Sequence, residues 1–194
     1  MFASISPGDE MGLIPSARTV ANGGQRAPSG FALLPLQMHG DDRGTFMEFF
    51  REEWRLGPRP VQWNVVRSEA NVLRGVHAHV THLDYLTMLQ GHMVLGLKDL
   101  RPNSATSGLS LLLRLEADDP YLAVIPIGVG HGFYFPAPAY HMYAVTRAFD
   151  GTNEYGCRWN DPDLELAWPC DAPVLSARDR QAGSLAQLVA ELAL

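Results

Sequence analysis

Cysteine is scarce in this sequence, a surplus of basic residues and long apolar runs are absent, and each shortage excludes something. Among 194 residues there are two cysteines, Cys157 and Cys170, which form no CxxC pair. A disulfide-stapled scaffold and a paired-thiolate zinc site are therefore not expected, and both thiols are read as buried and inert. Charged side chains make up 19% of the chain, with a net charge of -6 and a pI near 5.6. Nucleic-acid binders usually carry a basic surplus, so no nucleic-acid partner is expected, although local basic groups could hold one small anion. No run of 18 apolar residues occurs, and the N-terminus lacks a basic stretch followed by an apolar one. Neither a membrane span nor an export signal is expected, which makes a reducing cytoplasm the default location. What the chain does have is 18 Gly and 14 Pro, with 46% apolar residues. That mixture predicts many turns, short strands and one domain with a single core.

Residues 1 to 30 are rich in Gly, Pro, Ser and Ala without a sustained apolar period, the pattern of an arm or tail. Strand patterns then run to residue 182. FALLPLQMHG predicts a strand ending near Gly40, and DDRGTFMEFF a turn followed by a strand alternating Phe46, Glu48 and Phe50. EEWRLGPRP reads as a short helix or loop, and VQWNVVRSE as the next strand. VLRGVHAHV and YLTMLQGHMVLGLKDL read as adjacent antiparallel strands with a turn at Gln90 and Gly91. After the loop RPNSATSG come strands in LSLLLRLEA, on both sides of the Pro/Gly corner of YLAVIPIGVGHGFYF, in HMYAVTRAF and in LELAW. Residues 183–194 predict a helix with Leu185, Leu188, Val189 and Leu192 on one face, packed on the domain. The fold expected over 31–182 is all-β, a cupin-type jelly roll (double-stranded β-helix). Any β-sandwich would show similar strands; His131, placed just after the corner at Pro126 and Gly128, favours the jelly roll.

The chemistry concentrates in NVLRGVHAHVTHLDYLTMLQG, Asn71 to Gly91, which holds Arg74, three of the seven His and Asp84. Two readings compete for it. His77 is either a general base, or a metal ligand with His79, Asp84 and His131 in a cupin-type dioxygenase or isomerase using Fe, Mn, Zn or Ni. The metal pattern leaves DDRGTFMEFF, WNDP and LSARD unexplained.

Those segments carry a resemblance. DDRGTFMEFF, VQWN, VLRGVH, KDLRPNSATSG, IPIGVGHGF, WNDPDLELAWP and LSARD, in that order across residues 41 to 179, resemble the dTDP-4-dehydrorhamnose 3,5-epimerase family of nucleotide-sugar enzymes. The resemblance implies epimerisation of a nucleotide-diphospho-4-keto-6-deoxyhexose, dTDP-linked, at C3, C5 or both, with no metal or cofactor. A proton that leaves one face of the sugar and returns to the other needs a base and an acid on opposite sides. The resemblance gives His77 as base, Asp179 as the group that orients it, and Tyr143, sixteen residues before Trp159, as acid. It also implies phosphate or sugar contacts from Arg43, Arg74 and Arg178, base and phosphate contacts from Glu48, Gln62 and Asn64, a sugar contact from His131, and Glu154 at the nucleotide end. Phe149 stands where the family typically has Tyr. A homodimer with exchanged N-terminal strands is implied, in which Arg43 and Glu48 complete the neighbour's site. Two further positions depart from the pattern: His79 replaces a usual Gln, and Asp84 replaces a Lys that stabilises the enolate oxygen. A carboxylate cannot stabilise an oxyanion unless it is protonated or binds a cation. The lost Lys motivates a third reading, a non-enzymatic nucleotide-sugar binder on the same scaffold; the retained His77, Tyr143 and Asp179 weigh against it.

Overall fold

The computed structural model describes residues 26–152 and 154–192, so the expected arm lies outside the described residues up to position 25. In chain order the strands are β1 (Ala32–Pro35), β2 (Met38–Asp41), β3 (Gly44–Met47), β4 (Gln62–Ser68), β5 (Val72–Ala78), β6 (Asp84–Gln90), β7 (His92–Asp99), β8 (Ser110–Glu116), β9 (Tyr121–Ile125), β10 (Val129–Phe135), β11 (Ala139–Val145) and β12 (Tyr155–Gly156). Two short helices follow, α1 (Ala177–Gln181) and α2 (Leu185–Leu192).

Ten of these strands form two antiparallel five-stranded sheets, ordered β1-β9-β6-β11-β4 and β12-β5-β10-β7-β8; β2 and β3 form a separate hairpin. This is the jelly roll expected from the sequence. Its main core is made where Leu86 and Met88 of β6 meet Leu95 and Leu97 of β7, Leu113 of β8 and Phe135 of β10. Strands β6 and β7 are buried on both faces over runs of consecutive residues, Asp84 to Met88 in β6 and Leu95 to Asp99 in β7.

Several local expectations are corrected. The strands at Val72–Ala78, Asp84–Gln90 and His92–Asp99 are not neighbours: β6 lies in the first sheet, while β5 and β7 flank β10 in the second. Gly91 is the single residue between β6 and β7, with φ of +74°. The tightest common hairpin loop has two residues, so this one-residue joint turns the chain from one sheet to the other. LELAW forms no strand. A 3-10 turn at Pro162–Leu164 starts from Asp161, whose side chain accepts from the Asp163 N–H. Trp168 then packs against β7, where a Cβ on Gly96 would come to 2.5 Å from its ring. Glu48 and Phe50 fall beyond the end of β3. In α2, Leu185, Leu188 and Leu192 are buried, but Val189 faces outward because the groove beside Leu73, Val76 and Trp168 admits only a narrow stripe. Cys157 is buried as expected, whereas Cys170 is only half-buried, and both are free.

The KDLRPNSATSG segment owes its form to one carboxylate. Asp99, fully buried at the end of β7, accepts from Arg101 Nε at 2.8 Å, Ser104 Oγ at 2.6 Å and Thr106 Oγ1 at 2.6 Å. Burial alone would raise its pKa, but these bonds outweigh it and hold the group below the usual carboxylate range. A depressed pKa contributes stability above the unfolded value of 3.8 that is lost as pH falls through the folded value. Asp99→Asn should therefore cost about 2–3 kcal/mol near neutral pH. In denaturant titrations the gap to wild type should be flat from neutral pH into the mildly acidic range and narrow below 3.8; a gap independent of pH would contradict this role.

Candidate active site

The two sheets enclose a chamber of about 590 Å³, and its two walls carry different chemistry. On the wall made by β5 and β10, His77 and His131 are direct cross-strand partners. Gly75 makes this register reachable, since a Cβ there, at φ of +110°, would lie 2.8 Å from the His131 carbonyl oxygen. Gly156 of β12 does the same on the other flank, where a Cβ would approach the His77 ring to 3.1 Å.

His77 is held by the C-terminal segment. Val174 bridges to Val72, and the Leu73 N–H donates to the Val174 carbonyl at 3.0 Å, which brings LSARD against β5. Ser176 caps α1 by accepting from the Asp179 N–H at 3.0 Å, leaving Asp179 in the first turn, where a carboxylate is favoured. Its Oδ1 lies 2.7 Å from His77 Nε2, and Oδ2 accepts from the Gly75 N–H at 3.5 Å. Burial pushes the Asp179 carboxyl upward, yet the bonds from His77, Ser176 and Gly75 hold it below its ordinary value. With Nε2 donating to a carboxylate, the free nitrogen of neutral His77 is Nδ1, an acceptor. The contact fixes the tautomer.

The facing wall comes from the other sheet. Tyr143 on β11 pairs in register with Asn64 of β4 and Leu86 of β6. Burial raises its pKa first of all, Asp84 and Glu154 add to the rise, and Arg74 opposes it, so the phenol keeps its proton at neutral pH. Gln62 donates to Asn64 Oδ1 at 3.0 Å and accepts from the Phe149 N–H at 2.8 Å, tying the chamber mouth together. Three guanidiniums line the space. Arg74 is braced on Ser68 Oγ at 3.0 Å, Arg178 pairs with Glu154 at 3.2 Å, and Arg147 stands beside them.

Every residue expected at the site lines this chamber except Arg43 and Glu48, which the single chain does not bring to it. Those two sit at or just beyond the β2–β3 hairpin, exposed, paired to Asp41 and Arg51 respectively. Of the metal set expected from spacing, His77 is paired with Asp179, while His79 and Asp84 gather with His82, one ligand atom from each lying within 4.8 Å of the others.

Comparison with known proteins decides the family. A profile described as dTDP-4-dehydrorhamnose 3,5-epimerase matches residues 27–187. The chain belongs to the dTDP-4-dehydrorhamnose 3,5-epimerase family. A family enzyme of that name from Pseudomonas aeruginosa is 34% identical over 164 residues, 79% of this chain and 90% of the relative. The Legionella pneumophila dTDP-6-deoxy-D-glucose-3,5-epimerase RmlC, solved with dTDP-4-keto-L-rhamnose, superposes with a TM-score of 0.76 at 31% identity, covering 84% of this chain and 92% of that one. ChmJ, a 3'-monoepimerase from Streptomyces bikiniensis, superposes at 0.77 with 26% identity and coverages of 84% and 87%; that structure is of a His→Asn, Tyr→Phe double mutant bound to dTDP.

Among the chamber residues without a role expected from sequence, three carry titratable or charged side chains. His82, Arg147 and His141 line the space, and His141 is buried between the rings of Phe135 and Tyr143. The signal for His82 was present in HVTHLD, but only the fold shows its ring stacked on His79 with centroids 4.1 Å apart. Burial lowers the pKa of His79 to about 2, and that of His131 and His141 to about 4, so all three are neutral at pH 7. Burial raises the Asp84 carboxyl to about 8, and the Glu154 charge adds to it. The chain's one lysine, Lys98, is bound to Ser110 and Glu165 and does not line the chamber.

Proposed function

We propose that the chain epimerises a nucleotide-diphospho-4-keto-6-deoxyhexose, dTDP-linked, at C3, C5 or both, in deoxysugar biosynthesis. The observation that carries the reading is the division of labour between walls. A carboxylate-held imidazole, His77 on Asp179, stands on one sheet, and the protonated phenol of Tyr143 on the facing sheet. Inversion beside a ketone removes a proton from one face of the ring and returns one to the other. His77 Nδ1 takes the proton, Asp179 stabilises the imidazolium that results, and Tyr143 protonates the enolate from the far side. Arg74 and Arg178, with Arg147 at the mouth, supply donors for the diphosphate; Gln62, Asn64 and Glu154 serve the nucleotide, with Phe149 offering its exposed ring to the base. His131 faces the sugar. The relatives' activities agree with this chemistry: RmlC of Legionella is named a 3,5-epimerase and ChmJ a 3'-monoepimerase, and the mutated residues in ChmJ are a His and a Tyr.

The test is product NMR after incubation with a panel of nucleotide-linked 4-keto-6-deoxy sugars. An inverted C3 or C5 centre is expected with at least one of them, and unchanged sugars throughout would overturn the reading. His77→Asn and Tyr143→Phe should each lower kcat/KM for inversion by about 10²–10⁴-fold, the usual contribution of a positioned acid or base. If either variant turned over at the wild-type rate, its assigned role would be wrong.

A homodimer with exchanged N-terminal strands belongs to the same proposal. Phe46, Trp63 and Val65 expose apolar surface along the hairpin and edge strand β4, at 62%, 47% and 62%. Phe49 and Phe50 stack edge-on against Trp63, joining the two regions. A second copy covering this face would carry its Arg43 and Glu48 to the chamber mouth. Light scattering should return twice the 21.3 kDa chain mass, and Val65→Glu should shift it to monomer; a monomeric wild type would refute the assembly.

A further inference from the structure

The geometry points to a divalent first-row transition-metal site in the chamber, formed by His79, His82 and Asp84. One ligand atom from each lies within 4.8 Å of the other two. His79 and His82 leave the end of β5 on the crossover to the first sheet, and Asp84 opens β6, so the three converge where the chain changes walls.

Two features of these side chains indicate a missing partner. The Asp84 side chain is 9% exposed, and among the described residues no hydrogen bond reaches its carboxylate; the nearest cationic candidates, His82 Nε2 and His131 Nε2, each stand 4.0 Å from Oδ2. His79 Nδ1 is likewise buried with no hydrogen-bond partner. Buried polar groups are nearly always satisfied, and an unpartnered imidazole nitrogen and a carboxylate without a hydrogen bond in one cluster ask for a group that accepts lone pairs. Neutral imidazole and carboxylate are the donors that divalent zinc, iron, manganese and nickel take, and two His with one carboxylate leave coordination positions open. His131 is prepared to join. Its Nδ1–H donates to the Val129 carbonyl at 3.2 Å, which leaves the Nε2 lone pair towards Asp84. His77 is outside the set, being held by Asp179.

Ligands of a tetrahedral ion at about 2.1 Å lie ~3.4 Å apart, so closing on a metal asks each side chain to move inward by about an ångström. His79, His82 and Asp84 line the same chamber as His77 and Tyr143, and no lysine lines it. Resting on the epimerase reading, the ion's use there is to polarise the sugar ketone as a Lewis acid and hold the enolate oxygen.

The test needs no substrate. Purified full-length protein is stripped with chelator and titrated with Co²⁺, followed by visible d–d absorption and by competition with Zn²⁺. One equivalent per chain is expected, with His82→Gln, His79→Gln and Asp84→Asn each weakening binding at least ~100-fold, the upper end of what losing a mere supporting partner costs. His77→Asn should leave the affinity within about threefold, since no ligand is removed. Circular dichroism confirms that each variant is folded, and the wild-type titration decides even if one is not. Absence of binding by wild type overturns the site, as does binding that survives His82→Gln and Asp84→Asn or is lost in His77→Asn. An active epimerase without metal would refute this inference alone; a metal-binding protein that inverts no sugar would refute only the proposed function.

Discussion

The 2.7 Å contact between His77 Nε2 and Asp179 Oδ1 is the constraint on which the site depends. It joins residues 102 positions apart in sequence, and much of the surrounding structure exists to make that closure possible. Ser176 ends the approach of the C-terminal segment and starts α1, the bridge from Val174 to Val72 fixes that segment beside β5, and Gly75 and Gly156 clear the space on either side of the imidazole. The three leucines of α2 pack on the same cluster as Leu73 and Val76 and hold the return path down. A buried carboxylate without the imidazole, or the imidazole without the carboxylate, would cost desolvation energy with no compensation. Together they yield one tautomer with one free acceptor nitrogen.

The jelly roll gives that base its counterpart by placing two sheets face to face. A reaction that inverts a carbon needs groups on opposite sides of a bound ring, and this fold supplies opposite sides as separate sheets. Chamber residues on β5 and β10 form one wall, those on β4, β6 and β11 the other. The crossover that carries His79, His82 and Asp84 is the point where the walls meet, and therefore the place where a substitution changes the electrostatics seen by both. With Lys98 engaged elsewhere, positive charge in the chamber comes from arginines, and stabilisation of an enolate oxygen must come from Tyr143, a neutral Asp84 or an ion.

The fold class was legible in the sequence because short β-rich runs punctuated by Gly and Pro leave few alternatives, and the segment motifs located His77, Tyr143 and Asp179. Strand neighbours were not legible: local reading favours hairpins, and nothing in LQGHM announces that Gly91 turns the chain between sheets. LELAW alternates like a strand, yet its work is to lay Trp168 over Gly96, a tertiary fit that periodicity cannot show. His82 was visible but had no assignable role, because its meaning lies in a 4.1 Å stack with His79 and in an orphaned carboxylate two residues on. Val189 shared a helical face with three leucines and is nonetheless exposed, since burial depends on the width of the groove that receives the helix.

The central claim is that His77 removes a carbon-bound proton beside the ketone. Incubating the enzyme with a dTDP-4-keto-6-deoxy sugar in deuterated water and locating the label by NMR tests it directly. The account predicts solvent deuterium at the inverted carbon with the wild-type enzyme and none with His77→Asn under conditions where that variant still binds dTDP. Inverted product free of solvent deuterium, or full exchange catalysed by His77→Asn, would contradict it.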